Sequence, residues 1–462
     1  MATPQDATAQ TLWAPRAWLA GGWASDVCLQ VDDHGHWSTI TPGVPAPPGA
    51  TVLAGPVLPG LVDAHSHAFQ RAFVGLAERL DPARGAQDDF WSWRDRMYGV
   101  ALRITPDQLQ AVATHLYGEL LQGGYTEVCE FHYLHHGLGG APQHNPLAMS
   151  QALAQAAVAS GMGLTLLPVL YERAGFMQAT LREDQHRFAT TVHSVLDMRD
   201  GVRAWQLPGV RAGVAIHSLR AAAPASIHTL SQALQGDSAP IHIHIAEQTA
   251  EVDDCVAATG ARPIEWLTRE LPLDARWQLV HATHATPQEI QAVAATGAGV
   301  VLCPGTEGNL GDGLCDLPGW LAAGVPLSLG SDSHVTRAWP EELRWLEYGQ
   351  RLALRRRNVA ADADTLPATA GRLWQCMQDG GRRAAGFARW GLEVGARADL
   401  LVVDTQEDAL RGLPADHLLD GLVFAAPARP FARVMVAGRW VGAGRAAAAD
   451  DFAATMRELW GD

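Results

Sequence analysis

Eight short apolar runs punctuate residues 57–334 of this chain: "VLPGLVDAHSH", "YTEVCEFHY", "GLTLLPVLYE", "VRAGVAIHS", "PIHIHIAE", "WQLVHATH", "GAGVVLCPGTE" and "VPLSLGSDSH". Each reads as a buried strand, and longer helix-period stretches separate them. Strand and helix alternating eight times is the pattern of an α/β chain closed into a (β/α)8 TIM-like barrel. A doubly wound open sheet alternates in the same way, so the count alone does not separate the two. The polar residues add more, because nearly every run begins apolar and ends in His, Glu, Asp or Tyr. In a barrel the carboxyl ends of all eight strands open on one mouth, which gathers these groups around one cavity.

The flanks have a different texture. Residues 10–57 alternate short apolar runs with turn residues, and the same pattern returns in "GLEVGARADLLVVD" (391–404) and "ARVMVAGRWVGAGR" (432–445). Two β-rich ends enclosing one body predict a small composite β-sandwich built from residues 1–57 with 388–450. The barrel then spans 58–387, and a C-terminal helix or tail spans 451–462.

Composition narrows the function classes. With 34 Lys+Arg against 49 Asp+Glu the formal charge is -15, which argues against a nucleic-acid footprint or an anionic membrane surface as partner. The short run Arg355–Arg357 reads as a solvated helix end. No lysine occurs anywhere in the sequence, so a Schiff-base lysine, a pyridoxal phosphate anchor and a P-loop lysine are excluded. The six cysteines are scattered without a Cys-x-x-Cys pair, which predicts reduced, mostly buried thiols rather than a zinc ribbon or a disulfide scaffold. The opening "MATPQDATAQTLWAPRAWLAGGW" has no basic segment followed by an apolar one, and no stretch approaches the roughly 20 apolar residues of a membrane helix. The expectation is a cytoplasmic enzyme.

His65 and His67 end the first run two residues apart, so on a strand both imidazoles leave the same face and can share one metal ion. A chance His-x-His is the plain alternative. His244 ends the fifth run, His281 the sixth and Asp332 the eighth, and three neutral imidazoles with a carboxylate suit Zn²⁺ or Fe²⁺ while leaving a position for water. Glu247 follows His244 by three residues. Its plain reading is a solvated carboxylate at a helix start.

The order His-x-His, His, His, Asp at the ends of runs one, five, six and eight resembles the amidohydrolase superfamily, over essentially the whole chain. The resemblance implies a metal held by His65, His67, His244 and Asp332, with His281 contacting the bound water or substrate. Members with two metals usually bridge them by a carboxylated lysine from strand four. With no lysine present, and His217 at that strand end, the resemblance implies a single ion, Zn first and Fe as the alternative.

The His-x-x-Glu spacing is similar to the subgroup that expels ammonia from a C=N bond. Adding water to such a carbon requires a proton on the nitrogen, which Glu247 can carry, so Glu247, His281 and Asp332 are the expected catalytic groups. The stretches "HSHAFQR", "DFWSWRDRMY", "EFHYLHH", "IHSLR" and "CPGTEGNLGDG" look like those of members that act on a linear formimino dicarboxylate. The likeness of these stretches implies that Arg94 and Arg220 receive the substrate carboxylates, that Gln70, Tyr133 and His217 hydrogen-bond the substrate, and that the chain forms a homodimer. One departure is that Gly305 and Gly308 are small for their stretch, which predicts a looser loop. A deaminase of the same superfamily acting on a purine or pterin ring, and a non-catalytic barrel, are the other readings. His242 reads as a satisfied core histidine. His132, His135, His136 and His334 are placed near the mouth without a role, and Trp91 and Trp93 either wall the pocket or pack.

Overall fold

The computed structural model describes residues 8–80, 90–427, 429–442 and 444–461. Asp89 of the "DFWSWRDRMY" stretch and the first seven residues of the opening segment lie outside these. All eight apolar runs are strands: Leu61–Ser66, Tyr125–His132, Gly163–Leu170, Val214–Ser218, Ile241–Ile245, Trp277–His281, Gly299–Leu302 and Leu327–Leu329. All but one of their residues are buried, as expected for parallel strands covered on both faces.

Closure separates the barrel from the open sheet. Every neighbouring pair in the ring is parallel, the fourth strand pairs with the third through Ala215–Val169 and Ile216–Leu170, and the eighth returns to the first through Leu329–Asp63. A short strand, Val210–Ala212, pairs beside the third from outside the ring. Helices follow the strands. Pro106–Gln122 starts where Thr105 accepts from the Gln108 amide and Gln108 answers on the Thr105 amide, a capping box that satisfies two otherwise orphaned donors.

The chain ends build one separate sheet from Gln10–Leu19, Gly22–Val31, Trp37–Thr41, Thr51–Val52, Val57–Leu58, Leu400–Val403, Phe431–Val436 and Arg439–Val441. Trp37 N donates to Ala396 O and Ala398 N to Gly35 O, so the sheet folds back on itself around its own core of Leu12, Val27, Trp37, Leu400 and Met435. Arg397 ties this unit to the barrel floor, with Nη1 2.7 Å from Glu127 and Nη2 2.7 Å from Asp399. The last helix is Arg445–Trp460, and its Trp460 indole donates to Ala72 O at 2.9 Å.

On the flank of the barrel Glu119 gathers Arg71 at 2.7 Å, Arg429 at 3.2 Å and Arg337 at 3.3 Å, joining three distant parts of the sequence. All six cysteines are free, and five are buried. Among the described residues no helix is long and apolar enough to cross a membrane. Arg355, left-handed at φ 54°, ends the helix Trp339–Leu354, and Arg355–Arg357 are exposed as the sequence suggested.

Candidate metal centre and active site

The first and eighth strands are stitched together at the mouth. Asp332 N donates to His65 O at 2.9 Å and His67 N to Asp332 O at 3.3 Å. To turn their side chains inward, His281 and Asp332 adopt left-handed backbone at φ 68° and 48°, a conformation costing about 1–2 kcal/mol per non-glycine residue.

The result is a convergence of nitrogen atoms. His65 Nε2 lies 3.1 Å from His67 Nε2 and 2.9 Å from His244 Nε2, and Asp332 Oδ1 is 3.5 Å and 3.4 Å from the first two. His67 spends its proton elsewhere, because Nδ1 donates to Phe131 O at 2.9 Å, so its Nε2 turns a bare lone pair on the His65 ring. Lone pairs facing one another in a buried site repel unless a cation sits between them. Ligands about 2.1 Å from a tetrahedral zinc stand about 3.4 Å apart, close to the spacing seen. Burial pushes His65 down to about 3 and holds His67 and His244 below their usual value, so all three carry the neutral form a metal requires. Burial alone would raise Asp332, but the His65 hydrogen bond and the surrounding imidazoles keep it ionised. The donor set fits one divalent ion.

His281 stands on the other side of Asp332, its Nε2 3.7 Å from Asp332 Oδ2 and 3.8 Å from Glu247 Oε1. Burial raises the Glu247 carboxyl, bringing it near neutrality at physiological pH. Burial opposes a proton on His281, yet the Glu247 charge and the hydrogen bond to Glu307 outweigh it. A bound cation adds a charge that lowers both.

Above these groups opens a pocket onto which Gln70, Arg94, Tyr133, His217, Arg220 and Glu247 all face. His67, His244, His281 and Asp332 form its floor, and His65 lies fully buried beneath them. Gln70 Nε2 donates to the Tyr133 hydroxyl at 3.2 Å, and the His217 ring meets Tyr171 edge to face at 4.5 Å. Arg94 and Arg220 share the Trp91 ring, at 4.5 Å and 5.5 Å, and the Nε of each is buried without a partner. Among the described residues neither forms an ion pair. Burial and then the neighbouring arginines lower the Arg94 guanidinium, so the pocket holds two cations that repel each other, with Glu251 and Glu247 acting on Arg220 only at longer range.

Sequence reasoning missed Glu307, whose Oε1 is 3.3 Å from His281 Nδ1 and accepts Cys303 N at 2.9 Å. It lies inside the quoted "CPGTEGNLGDG" stretch, four residues past Cys303. Glu251, Tyr98 and Tyr171 also line the pocket; Tyr98 closes the quoted "DFWSWRDRMY" stretch and Tyr171 follows the third strand, whereas Glu251 carried no local signal. The expected loose loop is absent, because Pro304–Leu310 is a helix and a Cβ on Gly305 would collide with Thr336 Oγ1 and Glu342 Oε1. Small size there permits close packing. Trp93 walls the pocket, whereas Trp91 supports the arginines. His242 bonds Ala384 O at 2.8 Å through Nε2, with Nδ1 unpaired. His132 and His135 are buried edge to face at 5.0 Å, His136 bonds Ala189 O, and His334 lies 2.9 Å from Ser331 Oγ.

A sequence model of the Amidohydrolase family matches residues 57–441. The chain belongs to the amidohydrolase family. It is 46% identical to a formimidoylglutamate deiminase of Pseudomonas aeruginosa over 93% of this chain and 94% of that one. A 5-methylthioadenosine/S-adenosylhomocysteine deaminase of Natronomonas pharaonis is 27% identical over 87% of this chain and 85% of its own. The crystal structure of an amidohydrolase from Brucella melitensis superposes with a TM-score of 0.91 at 41% identity, covering 97% of this chain and 99% of that one. As a member of the family the chain is a metal-dependent hydrolase, with the buried histidine cluster as its candidate metal site.

Proposed function

We propose that this amidohydrolase hydrolyses the C=N bond of N-formimino-L-glutamate, giving N-formyl-L-glutamate and ammonia in histidine degradation. The observation that carries the reading is the pair Arg94 and Arg220, half-buried at the pocket, the Nε of each buried without a partner and neither in an ion pair among the described residues. A ligand with two carboxylates and an amidine supplies the missing anions, and guanidinium forks suit carboxylates. The likeness to the Pseudomonas deiminase supports the same substrate.

His65, His67, His244 and Asp332 would hold one divalent ion, Zn²⁺ before Fe²⁺. Such an ion supplies a water acidic enough to attack near neutral pH. Asp332 Oδ2 and His281 Nε2 face each other, and one of the two would hold the proton that such a water gives up. Glu247, whose carboxyl burial raises, delivers a proton to the imino nitrogen and later helps ammonia leave. Gln70, Tyr133 and His217 orient the formimino group. Glu307 keeps the His281 proton on Nδ1, leaving Nε2 free to act. We take residues 1–57 with 388–450 as one unit, 58–387 as the barrel and 451–462 as the tail, and place the protein in the cytoplasm as a homodimer.

The test is ammonia release by the zinc-loaded protein from N-formimino-L-glutamate, beside guanine and adenosine. Release from the formimino compound, abolished in Glu247→Gln and weakened in Arg94→Met, supports the reading. Turnover of a ring substrate instead sinks the assignment of the arginines.

A further inference from the structure

The turn that carries His65 and His67 leaves the first strand at Ser66 and enters a 3-10 helix at Ala68. Regular pairing ends there, so something else must hold two imidazoles with their Nε2 atoms 3.1 Å apart. Glu130, on the second strand and only 2% exposed, grips this turn from both sides of His67. Its Oε2 accepts the Ser66 hydroxyl at 2.7 Å and the Tyr117 hydroxyl at 3.2 Å, and its Oε1 accepts Ala68 N at 2.6 Å. The next residue, Phe131, takes the His67 Nδ1 proton at 2.9 Å. Two consecutive residues of one strand therefore set both the backbone around His67 and the direction of its ring.

We propose that Glu130 is a positioning residue that presets the metal-binding turn, an inference that rests on the metal reading given above. Three donors converge on its two oxygens, which an acceptor-only carboxylate satisfies. An amide in its place would turn N–H groups toward one of those donors, leaving a buried group unpaired and the turn free to shift. The groups that orient metal ligands matter nearly as much as the ligands themselves.

The test measures Zn²⁺ affinity by competition with a chromophoric chelator, together with the melting temperature of the metal-free protein. Glu130→Gln is expected to bind zinc about 10- to 100-fold more weakly, with a smaller loss for Ser66→Ala. The control is Glu127→Gln, on the same strand and equally buried but bonded to Arg397 at the opposite end of the barrel. It is expected to lower the melting temperature and keep its zinc affinity. The proposal is overturned if Glu130→Gln binds zinc as tightly as the parent, or if Glu127→Gln loses as much affinity. Should Glu130→Gln fail to fold, Ser66→Ala decides by the same comparison. A parent protein that binds no zinc defeats the metal reading itself, a result distinct from an unaltered variant.

Discussion

The Nδ1 of His281 faces Glu307 at 3.3 Å while Nε2 of the same ring faces Glu247 at 3.8 Å. One imidazole thus joins a carboxylate held by the Cys303 amide to the carboxylate expected to move the proton. Glu307→Gln removes the charge that fixes the ring's tautomer. The expected outcome is a kcat about 10²-fold lower with KM little changed, read from steady-state ammonia release. A kcat within twofold of the parent would show that Glu307 does not orient the ring.

Arg94 is expected to act oppositely on affinity and on stability. Arg94→Met gives up a charge-assisted contact with the substrate, so KM for N-formimino-L-glutamate should rise about 10- to 100-fold. The same change relieves the repulsion from Arg220, and the ligand-free melting temperature should not fall. Unchanged KM with a lower melting temperature would make Arg94 a packing residue.

Removing the metal should leave the His65 Nε2 crowded at 3.1 Å and 2.9 Å against those of His67 and His244 with no cation to hold them together. Dialysis against a chelator is expected to lower the melting temperature by several degrees and abolish ammonia release, with both restored by stoichiometric Zn²⁺. Ligand present at 100 times its Kd stabilises by about 2.7 kcal/mol. Identical melting curves before and after chelation would count against the site.

The flank carries a pH dependence unrelated to catalysis. Burial works to raise Glu119, but the Arg71 hydrogen bond and the charges of Arg71 and Arg337 bring it down to about 2 from an ordinary 4.5. A depressed carboxyl contributes stability that is present above its unfolded value and lost as pH falls through the folded one. Glu119→Gln should therefore lower the melting temperature by several degrees at pH 7, with the gap closing between pH 4.5 and 2. A gap that stays constant over that window would mean the arginines do not depend on this charge.

The barrel and the floor of the site were legible because both are written locally. A strand that is apolar until its last residues announces where its polar end points, and His65, His67, His244, His281 and Asp332 all lie at such ends. What escaped was set by packing between distant segments. Glu119 meets Arg71, Arg337 and Arg429 with no local motif. Gly305 looked like a loosened position because Thr336 and Glu342, which close on its α-carbon, lie far along the chain. The strand runs at the two chain ends implied a small sheet unit, but its folding back through Trp37 and Ala396 depends on backbone bonds that no side-chain pattern records.

The left-handed backbone at His281 and Asp332 has a consequence for anyone seeking a hardier version of this protein. Glycine at either place would relax the chain but erase the chemistry, and at Asp332 it would also forfeit the stabilisation that a bound ion supplies, so neither position offers a route to thermal endurance. Gains that leave turnover intact should be sought at the opposite rim, where Arg397 fastens the small sheet to the barrel and neither it nor its partners Glu127 and Asp399 are held in such tension.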